Sequence, residues 1–348
     1  MKKRKGLSPK IRIAIFAVFL ILVATLPLYV KNQYIIRVAT LCVMYSAFAL
    51  SLNLITGFMG QVSLGHAAFM GIGAYTSAIL SARFEWSFVP TMLCAVAVAA
   101  VFGVMLGFPA LKLSGSYLAI VTLGFCEVIR LVELNWMSLT RGPMGMTGIK
   151  KPLVFGWQIK SNGDYYWLSL ILMLIIIFFV QNISNSHVGR AIMSVREDEI
   201  AASAMGVNIR HYKVMTFTIS AAMCGMMGAF YAHYMRFIDP SAFNFEQSTS
   251  ILSMVILGGL GSVPGSILGA VILSILPEAL RDLSAYRMLI YGLIIAVMMI
   301  FRPQGILGRM TFAQMLGTEK KYAISPEEAA KLLDGEATPY GNVTEEQA

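Results

Sequence analysis

Long runs of uncharged, mostly apolar residues alternate with short polar segments along the chain. The longest run extends from Val38 to Ala82 and holds 45 residues without Lys, Arg, Asp or Glu. About 20 apolar residues cross the hydrocarbon core of a bilayer as a helix, so this run predicts two membrane spans joined by a tight turn. Four further uncharged runs are Trp86–Leu111, Tyr165–Ser186, Val214–Met235 and Gln247–Pro277.

The composition supports a membrane location. Of 348 residues, 57% are apolar and 13% are charged, against roughly 25% charged residues in soluble domains. A soluble fold of this length cannot bury so much apolar surface. The chain is therefore expected to be an all-α integral membrane protein, a polytopic bundle of about nine or ten transmembrane helices.

The predicted spans fall into two groups. The first group, 13–182, contains the spans 13–30, 35–56, 62–82, 88–111, 115–134 and 165–182. The second group, 212–302, contains 212–236, 247–277 and 286–301. The run 247–277 is too long for one upright span and has a glycine-rich break at 258–265, so it is either one interrupted helix or two short ones. Two short helices give ten spans, whereas one helix gives nine.

Basic residues predict the orientation of the chain. The segment 1–12 is a Lys- and Arg-rich N-terminus before the first span, which the positive-inside rule puts in the cytoplasm. Six crossings return the chain to the same side at the loop 183–211, and the stretch 185–213 holds the basic residues Arg190, Arg196, Arg210 and Lys213, which suit the cytoplasm. The tail 303–348 is soluble beyond Gly317 and is expected in the cytoplasm, which requires an even number of spans.

A polar, glycine-rich segment follows the second predicted span. Backbone freed by glycine cannot face lipid, so it is covered by protein or lines a cavity. Close helix packing through small and hydrogen-bonded residues is the favoured interpretation, and a segment that lines a translocation pathway is the alternative. The candidates are Asn53, Gly57, Gly60, Gln61, Ser63, Gly65 and His66.

The fifth predicted span carries three charged residues, Glu127, Arg130 and Glu133. A spacing of three places neighbours on one helix face, so Glu127 and Arg130 are expected to pair. Charges at membrane depth usually face a bundle interior or water. A structural ion pair near the outer surface is the favoured interpretation, and a gate or pathway element, with Glu127 as the candidate residue, is the alternative.

The polar segment 189–206 is predicted to be helical as far as Gly206, which suits the first position beyond a helix end. Acids at 197–199 precede small alanines, a pattern that favours docking into a groove of another protein; a solvated loop is the alternative.

The motif GxxxxGK[ST] is absent from the sequence, so ATP-driven transport would need a separate ATPase. We predict no catalytic residue, cofactor or metal site, and no enzyme activity.

Four segments, in order, resemble permeases of branched-chain amino acid ABC importers. They are LSLNLITGFMGQVSLGHAAFMGIGAYTSAIL (Leu50–Leu80), SGSYLAIVTLGFCEVIRLVELNWMSLTRGPMGMTGI (Ser114–Ile149), GRAIMSVREDEIAASAMGV (Gly189–Val207) and ILGGLGSVPGSILGA (Ile256–Ala270). The second segment resembles the M-type subunit of the Leu/Ile/Val importer more than its H-type partner. The resemblance covers roughly residues 35–310 and implies a helical bundle of the ABC importer permease type.

The resemblance also implies an assembly in the bacterial inner membrane. A homologous H-type permease would share the pathway for branched-chain amino acids, two ABC ATPase subunits would drive transport, and a periplasmic binding protein would deliver substrate. The loop 183–211 would then couple the permease to the ATPases. The usual importer pattern there is Glu-Ala-Ala, three residues and Gly; Ala201, Ala202 and Gly206 fit it, but Ile200 replaces the Glu, with Glu199 one residue earlier.

The loop 135–164 is expected outside the cytoplasm, where its basic residues Arg141 and Lys150 would pair with acids on a docking binding protein. A long loop that does not follow the positive-inside trend is the alternative.

For the function of the whole chain, the alternatives are a permease for another amino acid, urea or a sugar, and a secondary transporter. The last is less favoured, because only Glu127 and Arg130 offer ionisable groups within the spans. Nucleic acid is not an expected partner.

Overall fold

The computed structural model describes residues 25–30, 32–111, 113, 115–154 and 156–279, together with 292–293, 296–297, 300–301 and 305–308. The predicted spans 13–30 and 286–301 lie largely outside the described residues, as do the segment 1–12 and most of the tail 303–348. The described helices are α1 (Leu26–Tyr29), α2 (Gln33–Asn53), α3 (His66–Arg83), α4 (Phe88–Ala110), α5 (Gly115–Asn135), α6 (Met137–Thr140), α7 (Asn162–Asn185), α8 (His187–Glu197), α9 (Glu199–Ala204), α10 (Ile209–Met235), α11 (Phe245–Gly258) and α12 (Val263–Ala279).

Four of these helices are long and apolar enough to cross a membrane. They are α2 with its π-helical extension Leu54–Phe58, α4, α7 and α10, with lengths of 26, 23, 24 and 27 residues. Each begins and ends within three residues of a predicted span. The sequence therefore predicted these four helices correctly, and the chain is an all-α membrane protein.

The two glycine-rich segments interrupt helices, as predicted. After the π-helical turn, the chain is non-helical until α3 begins at His66, and Gly60 within this stretch has a φ of +74°. The run 247–277 forms two helices, α11 and α12, separated by a turn in which Gly259 and Gly261 have φ values of +121° and +80°. At 14 residues, α11 is about 21 Å long, so the number of full crossings stays a prediction.

Helix α10 occupies the centre of the bundle, between α3 and α4. Small residues let the backbones approach closely: a Cβ added to Gly73 would lie 2.3 Å from the carbonyl oxygen of Gly225. Helix α2 packs against α7 and α12 on another side. Within their most apolar stretches, α2 and α10 are 78% and 61% buried, but α4 and α7 only 28% and 33%. The last two helices therefore form the periphery that faces lipid or another subunit.

The connection between α5 and α7 folds over one end of the bundle. It contains α6, a 3₁₀ turn at Gly142–Met144, and a small antiparallel hairpin of β1 (Leu153–Val154) and β2 (Trp157–Gln158). An isolated bridge between Met146 and Ile238 ties this connection to the segment after α10. The loop 135–164 is therefore partly structured, which the sequence did not predict.

Candidate functional site

The polar segment after α7 forms two helices rather than the single one predicted. The Ser186 side chain accepts a hydrogen bond from Gly189 N and begins α8. Asp198 then leaves the helical region, with φ −159° and ψ 115°, and its carboxylate accepts hydrogen bonds from the amides of Ile200 and Ala201 at 2.8 and 3.0 Å. Asp198 thus starts a new helix, α9, because a carboxylate caps a helix N-terminus well.

Gly206 ends α9 in the way that the sequence predicted. Its φ is +82°, and the hydrogen bonds Gly206 N to Ser203 O and Val207 N to Ala202 O close the end of the helix. This pair of bonds is the Schellman arrangement, in which the residue after the cap takes a left-handed conformation that glycine adopts at little cost.

The side chains of α9 divide between the bundle and the solvent. Ala202 is only 5% exposed and packs inward, whereas Ile200 and Met205 are 84% and 85% exposed. Ile200 in α9 and Met205 directly after it are thus two large apolar side chains that the described residues leave uncovered. Of the predicted coupling residues, Ala201 and Gly206 are exposed, but Ala202 holds α9 on its own bundle.

Glu199 connects α9 to the start of the central helix α10. Its Oε1 lies 2.7 Å from Lys213 Nζ and accepts a hydrogen bond from Gln61 Nε2 at 3.1 Å. Lys213 is 1% exposed and Glu199 is partly buried. One carboxylate oxygen therefore joins three parts of the chain: the segment after α2, the helix α9 and the helix α10.

Arg196, near the end of α8, lies between the two glycine-rich segments. Its guanidinium donates a hydrogen bond to the carbonyl oxygen of Gly57. A Cβ added to Gly60 would lie 2.7 Å from Arg196 Cγ, and one added to Gly261 would lie 3.2 Å from Arg196 Nη1. Side chains at these glycines would displace the arginine, so its position depends on them.

The two glycine-rich segments also touch each other directly. Asn53 Oδ1 accepts a hydrogen bond from Gly261 N at 2.9 Å, and Asn53 Nδ2 donates to the carbonyl oxygen of Ser262 at 3.2 Å. A Cβ on Gly57 would lie 1.8 Å from Asn53 Oδ1 and 2.3 Å from Gly261 N. The end of α2 and the turn between α11 and α12 are therefore in backbone contact.

The polar residues before α3 make contacts between helices. His66 Nε2 lies 2.7 Å from Ser51 Oγ, and Leu64 N donates to Thr122 Oγ1 at 2.9 Å. Ser63, Gly65 and His66 are all buried. These contacts agree with close packing between helices. That these residues line a translocation pathway stays a prediction.

Comparison with known proteins identifies the family. Residues 34–302 match the family described as "Branched-chain amino acid transport system / permease component". This chain belongs to that permease family. A high-affinity branched-chain amino acid transport system permease protein, LivM of Escherichia coli strain K12, is 37% identical over 316 residues, which cover 84% of this chain and 74% of that protein.

Two more distant relatives carry similar descriptions. The permease protein LivH of Salmonella typhimurium is 24% identical over 298 residues, covering 80% of this chain and 95% of that protein. A probable branched-chain amino acid transport permease protein LivM of Methanocaldococcus jannaschii is 24% identical over 241 residues, covering 62% of this chain and 68% of that protein. No solved structure matches the chain. The similarity to LivM confirms the resemblance to the M-type subunit.

The charged residues of α5 separate into a pair and a single buried group. In this permease, Glu127 Oε2 accepts hydrogen bonds from Arg130 Nε at 2.8 Å and Nη2 at 2.7 Å, which confirms the predicted pair. Both side chains are about one-third exposed, at 33% and 29%. A charged pair on a membrane helix is unfavourable against lipid, so this face of α5 is expected to meet protein or water. Glu133 is buried elsewhere, at 4% exposure.

The connection between α5 and α7 (135–164), which is predicted to lie outside the cytoplasm and is called the outer connection below, carries basic residues on the permease surface. Lys150 Nζ forms an ion pair with Glu85 Oε1 at 3.0 Å, and both side chains are exposed. Arg141 adopts a φ of +63° and is exposed. Exposure leaves both groups accessible to a partner, and docking of a binding protein stays a prediction.

The contacts of two residues of the site are not predicted by the sequence. Arg196 and Lys213 were counted in the sequence only as positive charges on the cytoplasmic side. One signal was present in the sequence: Lys213 directly precedes the uncharged run that starts at Val214, and a lysine at that place is close enough to the span to be buried. Its partner cannot be read from the sequence, because Glu199 and Gln61 approach it only in the folded chain.

Proposed function

We propose that this chain is the membrane subunit through which an ATP-driven importer carries branched-chain amino acids. The family match supports a permease, and the LivM and LivH relatives, which are permeases of branched-chain amino acid transport systems, support this substrate class. The partners in the proposal are a homologous permease, two ATPase subunits and an extracytoplasmic binding protein. The sequence has no Walker A motif, which supports a separate source of ATP hydrolysis.

In this proposal the helices α8 and α9 couple the permease to the ATPases. The observation that carries the proposal is that these helices contact the glycine-rich segments on one side and expose Ile200 and Met205 on the other. The exposed pair would sit in an ATPase groove, as an apolar anchor surrounded by polar residues. Ile200 occupies the place of the usual Glu, so the contact here would be apolar rather than charged.

Movement of the coupling helices would reach the bundle by two routes. Arg196 would move the contact between Gly57 and Gly261, where the end of α2 meets the turn between α11 and α12. Glu199 would move Lys213 at the start of α10. Because α10 packs along both α3 and α4, a displacement of its inner end would tilt the centre of the bundle.

The translocation pathway and the outer docking surface complete the proposal. The polar set Asn53, Gln61, Ser63 and His66 lies among converging helices, and Glu127 lies on a partly exposed face of α5. That face would meet the second permease across the pathway. Arg141 and Lys150 would receive the acidic surface of the binding protein.

Reconstitution tests the proposed function. Vesicles that contain this chain with its second permease and ATPases are expected to take up labelled leucine only with ATP inside and binding protein outside. Leucine uptake without the ATPase subunits would favour a secondary transporter. Failure of leucine uptake with rapid uptake of another solute would correct the substrate.

The orientation has its own test. Ser203 is exposed on α9, so a Ser203→Cys variant is accessible to a membrane-impermeant thiol reagent from one side only. Labelling is expected in inside-out vesicles and not in intact cells, with the unsubstituted chain as the background control. Labelling from the outer face would invert the orientation and remove the basis for coupling through α9.

A further inference from the structure

Glu133 is a buried carboxylate with no hydrogen-bond partner in the part of the chain that the structure describes. It lies two residues before the end of α5 and is 4% exposed. Neither Oε1 nor Oε2 has a partner there. Arg130, one turn earlier on the same helix, is bonded to Glu127 instead. The carboxylate is thus buried without a hydrogen bond, and the charge of Arg130 nearby is its electrostatic partner at longer range.

An aromatic cluster built on Phe243 lies beside this carboxylate. A Cβ added to Gly71 would lie 2.5 Å from Glu133 Oε1 and 3.1 Å from Cγ of Phe243, so the carboxylate and the ring share the space beside Gly71. The rings of Tyr75 and Tyr231 pack against Phe243, with centroids 5.8 and 5.9 Å away. The site therefore places one carboxyl group next to Phe243, with the rings of Tyr75 and Tyr231 packed on that phenylalanine.

Tyr75 contributes a second polar group without a partner. Its hydroxyl is buried, makes no hydrogen bond among the described residues, and lies within electrostatic range of Glu133. Two buried polar groups without a hydrogen bond in one place are unusual, because buried polar groups in folded proteins are almost always hydrogen-bonded. Such exceptions call for an explanation, and a ligand that binds to both groups would supply it.

The chemistry of these groups selects the ligand. A carboxylate binds a cation through charge-assisted hydrogen bonds, and aromatic faces attract ammonium groups. A phenolic hydroxyl also accepts a hydrogen bond from an ammonium. Together they suit a primary ammonium, whose three donors match a carboxylate and a hydroxyl.

We propose that Glu133 and Tyr75 form a transient binding site for the ammonium group of the transported amino acid. This inference rests on the proposed function, which supplies an amino acid as substrate. The Glu133 backbone carbonyl accepts a hydrogen bond from Thr140 Oγ1 in α6, so the site lies where α5 enters the outer connection. Access would require α3 and α5 to separate at this site during the proposed transport cycle.

Binding can be tested on the purified complex without ATP. Leucinamide keeps the ammonium and lacks the carboxylate of leucine, whereas 4-methylpentanoate keeps the carboxylate and lacks the ammonium. Leucinamide at tens of millimolar is expected to raise the melting temperature of the complex, and 4-methylpentanoate is not, because a ligand stabilises the state that it binds. The leucinamide shift should vanish in Glu133→Gln and persist in Glu246→Gln, an exposed carboxylate on α11.

Measurements of leucine uptake and of melting temperature distinguish a binding role of Glu133 from a structural one. Glu133→Gln is expected to reduce leucine uptake at least about tenfold, while its melting temperature without ligand stays equal to or above that of the wild type, because a buried charge without a hydrogen bond has been removed. Gly71→Ala, which pushes on the carboxylate without replacing it, should lower uptake in the same direction. Glu246→Gln should leave uptake unchanged.

Three outcomes would overturn the inference. They are normal uptake in Glu133→Gln, an equal leucinamide shift in that variant, and a melting temperature well below that of the wild type, which would make Glu133 a structural group. In each case leucine uptake by the wild type would leave the proposed function intact. Absence of leucine uptake by the wild type would instead remove the proposed function.

Discussion

The ammonium of Lys213 lies 2.7 Å from a carboxylate oxygen of Glu199, and the two partners differ greatly in their exposure to solvent. Lys213 is 1% exposed, whereas the Glu199 side chain is 39% exposed. The lysine therefore depends on the pair for its charge compensation, but the carboxylate can recover hydration if the lysine is removed. Because of this asymmetry, removal of Glu199 and removal of Lys213 are expected to change the free energy of unfolding by different amounts.

Glu199→Gln is expected to destabilise the protein more than Lys213→Met. The first change leaves a buried ammonium uncompensated and should cost about 2 kcal/mol, below the roughly 3–5 kcal/mol of a fully buried pair because Glu199 is partly hydrated. The second should change the free energy of unfolding by less than about 1 kcal/mol. Thermal unfolding of the two purified variants measures the difference.

Both changes should also uncouple ATP hydrolysis from uptake, because each breaks the connection between α9 and α10. Lys151→Met, which removes an exposed lysine of the outer connection, serves as the control. If Lys213→Met hydrolyses the same number of ATP molecules per leucine taken up as the wild type does, the Lys213–Glu199 pair does not transmit movement.

Gly57→Ala is expected to disrupt the contact between the two glycine-rich segments. Its Cβ would lie 1.8 Å from Asn53 Oδ1 and 2.3 Å from Gly261 N, so backbone must shift and the Asn53 hydrogen bonds must break. We expect a loss of about 3 kcal/mol or more, at the upper end of overpacking effects. Size-exclusion profiles and melting temperatures of the purified variant provide the measurement.

Gly124→Ala is the matched control for this change. Nothing lies within 4 Å of a Cβ at Gly124 among the described residues, and alanine favours a helix over glycine by up to about 1 kcal/mol. The variant should therefore fold at least as well as the wild type. Equal stability of the two alanine variants would mean that the close contact at Gly57 is not under steric constraint.

The sequence predicts the helices of this protein well, because a helix that crosses lipid must be a long run of mostly apolar residues with few charges. Uncharged runs gave α2, α4, α7 and α10 within three residues, and the glycines of 258–265 indicated the turn between α11 and α12. The start of α3 was placed four residues too early, at 62 instead of His66. Apolar residues continue through that stretch, so hydropathy alone does not reveal where the helix begins.

The candidate site is less predictable, because its contacts join residues far apart in the chain. The break at Asp198 depends on whether its carboxylate caps the next turn, and residue order alone allows a continuous helix. The family pattern placed Ala202 in the coupling segment, but only the fold shows that it faces inward while Ile200 faces outward. Glu133 was grouped with Glu127 by spacing, yet packing against Phe243 gives it a separate environment.

Charge reversal at Arg141 and Lys150 is expected to weaken docking of the binding protein. Both residues are exposed on the outer connection, and surface charges act mainly on the rate of association. The concentration of binding protein for half-maximal uptake should rise roughly three- to tenfold in a double Glu variant. Because such interactions are screened by salt, the difference should shrink as ionic strength increases. An unchanged dose response at low salt would dispose of the docking role.

The two faces of α9 should respond differently to substitution. Ile200 is 84% exposed, so Ile200→Asp should change the free energy of unfolding by less than about 0.5 kcal/mol. Placed against an ATPase groove, the same charge would be desolvated, and binding of the ATPase subunits should weaken about tenfold or more. Ala202 is 5% exposed, so Ala202→Leu should instead cost about 1–3 kcal/mol through overpacking.

Co-purification and thermal unfolding of both variants distinguish the two effects. Loss of the ATPases from Ile200→Asp with a normal melting temperature is the expected result. In Ala202→Leu the melting temperature should fall before the ATPases are lost, because the defect lies in the packing of α9 on its own chain. If Ile200→Asp retains its ATPases in full, the exposed face of α9 does not contact them, and coupling must proceed through another surface of the permease.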